Sequence, residues 1–257
     1  MLSHPIGRLA LFGTACVLMS ALFGCGGNSI SKPFGTDPND TNKERVFNAL
    51  VGGPSATVDI AQRSTNLNST PLAIGQNTNY ATVSSGISVA TNAFQSGTAI
   101  KVAPEASVTM NRDFSYTEVL TGIFGTSGAT SPRLIQFSDN FPTSIPAGNV
   151  ALRVVNVSPD SPPISLYNTT GAPPTSVAIS GLGNVAYGTE SKSGTADYIT
   201  AAAGAYTLTV RDNAGNILTS LGPVTLGGGH AYSIFVYGMV HPTGSQPGVQ
   251  ASLLTDR

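Results

Sequence analysis

The sequence predicts an all-β protein, and three observations lead to this prediction. Charged residues make up only 10% of the chain, which contains 29 glycines and 17 prolines, a composition typical of extracellular β proteins with many turns. Within short segments, apolar and polar residues alternate at a period of two, the period of a strand with one buried face. The same pattern of runs occurs twice along the chain, which indicates a repeated domain.

The N-terminal segment is typical of an export signal. After a short head, an apolar run extends from Leu9 to Phe23, which is too short to span a bilayer comfortably. Gly24 and Cys25 follow this run. Small residues before a cysteine resemble the bacterial lipoprotein signal, in which the thiol receives a diacylglyceryl group and the preceding peptide bond is cut. The resemblance implies a signal peptide over residues 1–24 and lipidation at Cys25.

The mature chain would keep a single thiol, because Cys16 lies in the removed segment. Phe23 departs from the lipoprotein pattern, since a small or β-branched residue is usual at its position. The alternative is therefore an ordinary signal peptide with an incidental cysteine. Gly26 stands where an aspartate would retain similar lipoproteins in the inner membrane. We expect an exported protein anchored in membrane lipid through acylated Cys25, in the outer membrane if the cell has two.

Residues 25–44 are expected to form a flexible tether. Small and polar residues dominate them, and Ile30 and Phe34 are the large apolar side chains. A flexible chain of about 19 residues has an end-to-end distance of roughly 25 Å. The residues from Asp37 to Asn42 offer oxygen ligands at alternating positions, but the glycine and closing glutamate of a calcium loop are missing. We therefore interpret this stretch as a linker.

From Arg45 onward the chain repeats itself, and the first repeated segment of each copy is followed by a turn and a short apolar run. We predict two copies of one domain, over residues 45–145 and 149–257. The matching segments are Arg45 to Asn48 with Arg153 to Asn156, Tyr116 to Gly122 with Tyr232 to Gly238, and Arg133 to Asp139 with Val249 to Asp256.

Within the second copy, Tyr206 to Val210 alternates apolar and polar residues, and the turn residues Asp212 to Asn216 follow it. Seven or eight such strands in about 100 residues predict an immunoglobulin-like antiparallel β-sandwich in each copy. The other predicted strands are Ala151 to Asn156, Ile164 to Tyr167, Ser176 to Ile179, Ile217 to Ser220, Ala231 to Tyr237 and Val249 to Thr255.

Two segments of the second copy, Arg153 to Pro162 and Gly204 to Val210, resemble the opening and central strands of domain of unknown function 4397. The resemblance implies a secreted bacterial β-sandwich domain, often lipid-anchored and in tandem, with no established activity. It covers nearly all of the second copy. In the first copy Gly52 to Ser55 replaces the Ser-Pro-Asp segment, so a function that resides in Asp160 is not expected there.

Several patterns that carry chemistry elsewhere are interpreted as structural here. Gly181 to Ala186 fits a dinucleotide-binding fingerprint, but helix-breaking residues follow it, which favours a loop. Asp160 is expected to bond the N–H groups of a turn. The strand Tyr232 to Tyr237 carries large apolar side chains on both faces, which predicts burial against the sister domain; the alternative is an exposed binding patch.

Two histidines, His230 and His241, remain after processing, and neither has a recognisable catalytic partner in the sequence. The nearest string to a nucleophile elbow, Gly125 to Gly128, lies in the copy that contains no histidine. We expect no catalytic residue, no metal site and no cofactor. The alternative is an envelope hydrolase or carbohydrate-active protein, in which His230, His241 and Asp160 would converge in one concave pocket.

The charge of the mature chain excludes one class of partner. Without Arg8 the chain has 11 basic and 13 acidic residues, and it has no basic cluster, so nucleic acid is not an expected partner. The sequence predicts a lipid-anchored envelope protein that acts as a non-catalytic binding or structural module. An envelope protein or a glycan is its candidate ligand.

Overall fold

The regular structure in the computed structural model is almost entirely β, so the all-β prediction is confirmed. The structure describes residues 40–53, 57–63, 65–169, 176–192 and 196–257, all of which belong to one compact unit. Cys25 and the predicted signal peptide lie outside these residues. Within the described ranges, helical structure never reaches the length and hydropathy that a membrane span requires.

The described chain has a first half, residues 40–139, and a second half, residues 149–257, each with nine described strands. The first half contains β1 (Thr41–Asn48), β2 (Thr57–Gln62), β3 (Thr65–Asn66), β4 (Leu72–Ala73), β5 (Ala81–Ser84), β6 (Gly86–Gln95), β7 (Ala106–Met110), β8 (Ser115–Thr121) and β9 (Arg133–Ser138), with one 3-10 turn at Gly128–Thr130. The second half contains β10 (Asn149–Asn156), β11 (Ile164–Asn168), β12 (Val177–Ala178), β13 (Thr189–Glu190), β14 (Ile199–Ala202), β15 (Gly204–Asp212), β16 (Ile217–Leu226), β17 (Ala231–Tyr237) and β18 (Gln250–Thr255).

Each half consists of two sheets with matching strand orders. The inner sheets have the orders β5-β1-β8-β9 and β13-β10-β17-β18, with β14 also pairing with β10. The outer sheets have the orders β3-β2-β6-β7 and β12-β11-β15-β16, with β4 also pairing with β2. Among the strand pairs of the described residues, β1–β8 and β10–β17 are parallel and the rest are antiparallel. The predicted antiparallel sandwiches therefore contain one parallel pair each.

Three layers of apolar contact hold the sheets together. Val46, Ile60 and Leu120 belong to the cluster between the inner and outer sheets of the first half. Its counterpart in the second half is larger and contains Leu152, Ile234 and their neighbours. The third cluster joins the two inner sheets to each other. It contains Phe47, Ala49, Val119, Phe137, Val155, Val157, Phe235, Tyr237 and Leu254.

Strand β17 confirms the prediction that both of its faces are covered. Ile234 and Val236 pack within the second half. Phe235 and Tyr237 face the first half, where the Phe235 ring stacks on Phe47 with centroids 4.7 Å apart. Every residue of this strand is buried. The large apolar side chains of β17 therefore form part of the contact between the halves.

The start of the first half differs from the prediction. Strand β1 begins at Thr41, so the last four residues of the predicted tether, residues 25–44, are extended backbone paired to β5 and β8. Glu44 is 1% exposed. The polar residues of this stretch suggested a linker, whereas pairing to strands that are distant in sequence places them in a sheet. The dinucleotide-like segment is a loop as predicted, with Val185 bridged to Ile164.

One asparagine in each half fixes the turn after the first inner strand. The side-chain amide of Asn48 donates to the carbonyl of Leu72 over 2.9 Å, and its oxygen accepts from the N–H of Leu50 over 3.0 Å. Asn48 is 2% exposed, and Asn156, its equivalent in the second half, is 0% exposed. Asn156 makes the equivalent bonds with Val185 (3.0 Å) and Ser158 (3.2 Å).

Candidate binding cleft

A cleft of about 580 Å³ opens beside the N-terminal ends of β1 and β8, where the first half meets the C-terminal residues of the second. Its volume falls within the usual range for ligand sites. The lining residues are Thr41, Asn42, Lys43, Tyr80, Thr82, Asp113, Phe114, Ser115, Phe141, Asp256 and Arg257.

An exposed aromatic ring forms part of the cleft rim. Phe114 is 45% exposed, although it directly precedes β8, whose residues are almost all buried. Asp113 before it has a φ of 64°, a left-handed conformation that turns the chain sharply. The Phe114 ring stacks on Tyr116 with centroids 6.3 Å apart. The turn and this stacking hold an apolar ring face toward solvent beside Lys43.

A buried ion pair between the halves lies behind the cleft, and its carboxylate partner, Asp256, lines the cleft. The Arg45 guanidinium lies 2.5 Å from Oδ1 of Asp256, and both side chains are at most 2% exposed. Its Nε donates to the Thr117 hydroxyl over 2.8 Å, and its guanidinium lies 4.7 Å from the centroid of the Tyr80 ring. Because β1 pairs with β8 in register, Arg45 and Thr117 lie side by side on the face that meets the second half.

The second half places the same residue types in the same relation. Arg153 pairs with Asp139 of the first half, donates to the Ser233 hydroxyl over 2.6 Å, and lies 4.8 Å from the centroid of the Tyr198 ring. Arg153 has an additional partner, Glu190, at 2.8 Å. Each half thus contributes an arginine to the other half's aspartate, the self-complementary relation of a two-fold interface.

Each aspartate of this network is also fixed by its own half. Asp139 accepts from the hydroxyls of Thr117 (2.7 Å) and Tyr80 (2.6 Å). Asp256 accepts from Ser233 (2.6 Å) and from Tyr198 (3.0 Å). We call the eight residues Arg45, Tyr80, Thr117, Asp139, Arg153, Tyr198, Ser233 and Asp256 the interface network.

The electrostatics of the network favour ionised arginines and protonated tyrosines. Burial lowers the pKa of Arg45, but Asp256, Tyr80 and Asp139 together outweigh it, so the pKa lies above its ordinary value. Burial raises the pKa of Tyr80, and the charge of Asp139 raises it further. The Tyr80 phenol therefore remains a hydrogen-bond donor. Hydrogen bonds to Asp139 and from Ser233 fix the orientation of Tyr80 and Asp256, which line the cleft.

The segment that joins the two halves completes the cleft wall. Phe141 packs edge-on against Tyr80 (centroids 6.3 Å apart) and contacts Tyr198 (5.8 Å). The neighbouring carbonyl of Pro142 accepts from the Arg257 guanidinium over 2.9 Å. The connecting segment therefore lies between equivalent tyrosines of the two halves.

Of the three candidate catalytic residues, the structure places Asp160 and His241 together and His230 at the other end of β17. Asp160 does bond backbone N–H groups, but those of Val240 and His241, both at 2.8 Å, in the turn after β17. The His241 ring lies 3.4 Å from the same carboxylate, and its side chain is 83% exposed. His230 precedes the other end of β17, where its ring contacts the carbonyl of Arg257 at 3.0 Å. A seven-residue strand, about 23 Å long, separates the two histidines.

Over the described ranges, no group of three or more histidine, cysteine, aspartate and glutamate side chains is arranged to hold a metal ion. The interface network was not predicted as a site, although its arginines and aspartates lie in the segments that the sequence repeats. The available signal was Arg153, which lies inside the largely apolar strand β10. A charged residue in such a position is buried only when it is paired.

Residues 44–167 match the model of a family described as Domain of unknown function (DUF4397). The match begins at Glu44 in β1, covers the first half, and ends at Tyr167 in β11. The resemblance predicted from the second copy is therefore found mainly over the first half. No curated protein matches the chain. Over residues 44–167, the chain is similar to a family whose description assigns no activity.

Proposed function

We propose that this protein is an exported lipoprotein of the cell envelope, built from two copies of one immunoglobulin-like β-sandwich domain, that binds its ligand without catalysis. The matching strand orders of the halves and their equivalent interface residues support the two-copy organisation. The apolar run before Gly24 and Cys25 supports export and acylation. In a cell with two membranes, the absence of an aspartate after Cys25 favours the outer one.

The cleft is the observation that carries the binding function. It combines exposed ring surface at Phe114 with the polar side chains of Lys43, Asp113 and Thr82. A glycan presents C–H faces that stack on aromatic rings and hydroxyls that bond polar groups, so it matches both parts of this surface. We therefore propose an envelope glycan as the ligand. The hydrogen bonds that fix Tyr80 and Asp256 in the cleft wall reduce the entropy lost on binding.

The hydrolase alternative requires catalytic groups that converge on one pocket. His230 contacts a residue that lines the cleft, whereas Asp160 and His241 lie together at the opposite end of β17. Asp160 already accepts two backbone N–H groups, which is the role of a turn-fixing residue. This arrangement favours binding over hydrolysis.

Titration calorimetry of the mature chain with N-acetylglucosamine oligomers and with soluble peptidoglycan fragments tests the proposal. We expect binding that weakens about fivefold in Phe114→Ala, since stacking on one ring contributes about 1 kcal/mol. Phe124→Ala is the matched control, because Phe124 is 36% exposed and does not line the cleft. The double variant His230→Gln/His241→Gln should bind like the native chain.

Three outcomes would contradict the proposal: failure of both probes to bind, equal weakening by Phe114→Ala and Phe124→Ala, or cleavage of the probes during the titration. The anchor is tested separately by the N-terminal mass of the membrane-bound protein. We expect an acylated N-terminus at Cys25 and release of Cys25→Ser from the membrane fraction. An unmodified N-terminus at another residue would refute the lipid anchor and leave the cleft proposal intact.

A further inference from the structure

Two glutamates lie inside the first half, on the opposite face of β1 and β8 from the interface network. Glu44 is 1% exposed and Glu118 is 0% exposed. They occupy diagonal positions on the paired strands β1 and β8, since Glu44 lies beside Tyr116 and Glu118 beside Val46, and their carboxyl groups interact electrostatically. We call these residues the carboxyl pair.

Uncharged side chains lie beside the carboxyl pair. Gln62 donates its amide N–H to Glu44 over 2.8 Å, and the Thr91 hydroxyl lies beside Glu118. Strand register places Tyr116 next to Glu44, and Gln136 opposite Glu118. Asn42 lies on the same face of β1 as Glu44, and Met110 of β7 contacts the Gln62 amide. Arg45, the next residue along β1, points to the other face and pairs with Asp256.

The second half has apolar side chains at the equivalent positions. The strand registers make Leu152 equivalent to Glu44 and Ile234 equivalent to Glu118. Both are 0% exposed and belong to the core cluster of that half. The fold therefore does not require carboxyl groups here, and their presence in the first half needs its own explanation.

Two ionised carboxylates would not find enough hydrogen-bond donors in this environment. As carboxylates they only accept hydrogen bonds, so both Glu118 oxygens and Oε1 of Glu44 would have no partner. They would also repel each other where water cannot screen them. Burial, followed by hydrogen bonding to Glu118, raises the pKa of Glu44 to about 9, although the Gln62 amide acts in the opposite direction. Burial also raises the pKa of Glu118.

We propose that the carboxyl pair is a proton-dependent latch that keeps the first half closed while Glu44 donates a retained proton to Glu118. Removal of this proton leaves two buried charges between the inner and outer sheets of the first half. The strands β1, β2, β6 and β8 then loosen. The second half, with Leu152 and Ile234 in these positions, keeps its packing.

The direction of the pH effect follows from proton binding. The ordinary pKa of a glutamate is 4.5, and that of Glu44 in the folded chain is about 9. Between these values the folded chain holds a proton that the unfolded chain has lost, so the folding equilibrium constant falls about tenfold per pH unit. The stabilising effect is complete below pH 4.5 and is lost as the pH rises through about 9.

Thermal unfolding and amide hydrogen exchange of the full mature chain between pH 6 and pH 10 test the latch. We expect the melting temperature to fall with rising pH and exchange to accelerate in β1, β2, β6 and β8 before it does in β10, β11, β15 and β17. Glu44→Gln and Glu118→Gln should each reduce the pH slope. Glu105→Gln, at a glutamate whose side chain is 52% exposed, should leave the slope unchanged.

The double variant Glu44→Leu/Glu118→Ile gives the first half the residues of the second and guards against failure of a single glutamine variant to fold. We expect it to melt at a higher temperature than the native chain, with a smaller pH slope. Equal slopes in the native chain and in all three interior variants would overturn the proposal. A pH slope that disappears on addition of calcium would also overturn it, because a cation rather than a proton would then neutralise the pair.

Discussion

The two halves pair their strands in the same way but fill their interiors with different residues. The second half surrounds Leu152, Leu208 and Ile234 with a continuous apolar cluster. The first half has Glu44 and Glu118 at two of these equivalent positions and interrupts its apolar contacts with polar side chains. Strand order and register are therefore compatible with either interior. The interior composition instead determines how the stability of each half depends on pH.

The contact between the halves differs from the interiors, because the two halves contribute polar residues of the same types to it. Arg45 and Arg153 each reach the other half's aspartate and lie over their own half's tyrosine. In this two-fold arrangement each half supplies partners to residues of the other, so a substitution in one half removes a partner from the other half. The interiors are under no such constraint, because each half packs its own.

The strongest test of this comparison transfers a carboxyl group into the apolar interior. Ile234→Glu places a glutamate at the position equivalent to Glu118 but without the partners that Glu44, Gln62 and Thr91 provide. We expect a loss of about 5 kcal/mol in the free energy of unfolding, measured by urea denaturation near neutral pH.

The matched change is Ile234→Val, which keeps an apolar side chain and should cost about 1 kcal/mol. If Ile234→Glu were no worse than Ile234→Val, the second interior would tolerate a carboxyl group as well as the first. The different interior residues of the two halves would then make no difference to the free energy of unfolding.

Local sequence patterns predicted the elements that depend on nearby residues. The predicted run Ala231 to Tyr237 is β17, and the turn from Asp212 to Asn216 joins β15 to β16 as expected. In both cases alternation or turn chemistry within about ten residues determines the structure. The short strands β13 and β14 were missed, because two to four residues carry too little periodicity.

The candidate sites depend on partners that are distant in the chain, which explains why the sequence did not reveal them. Nothing near β1 indicates that it pairs in parallel with β8, yet this pairing brings Glu44 and Glu118 together and places Arg45 beside Thr117. Glu44 was assigned to the tether for the same reason, since its neighbours are polar. The identity of each buried charge was visible in the sequence, and its partner was not.

The second test compares the two aspartates of the interface network. Asp256→Asn leaves the buried Arg45 without a carboxylate partner and should lower the free energy of unfolding by about 3–5 kcal/mol. Asp139→Asn should lower it by less, because Arg153 keeps Glu190 at 2.8 Å. Urea denaturation of both variants measures the difference.

Asp113→Asn, at a side chain that is 78% exposed, is the control and should stay within about 0.5 kcal/mol of the native value. A larger loss for Asp139→Asn would show that Glu190 does not compensate.

The smallest expected effect concerns a feature on which the halves agree. Asn48 and Asn156 each fix a turn through one carbonyl and one backbone N–H, at similar distances and with almost complete burial. Replacement of either by alanine leaves a buried carbonyl unpaired, so Asn48→Ala and Asn156→Ala should each lower the free energy of unfolding by about 1–3 kcal/mol. Because Asn156 also contacts the Ser161 hydroxyl at 2.9 Å, its replacement should be slightly the more costly. Urea denaturation beside the exposed control Asn213→Ala measures both losses. A full loss in one half with no loss in the other would mean that the matching turns are not equivalent, and the comparison of the halves would then hold for strand order alone.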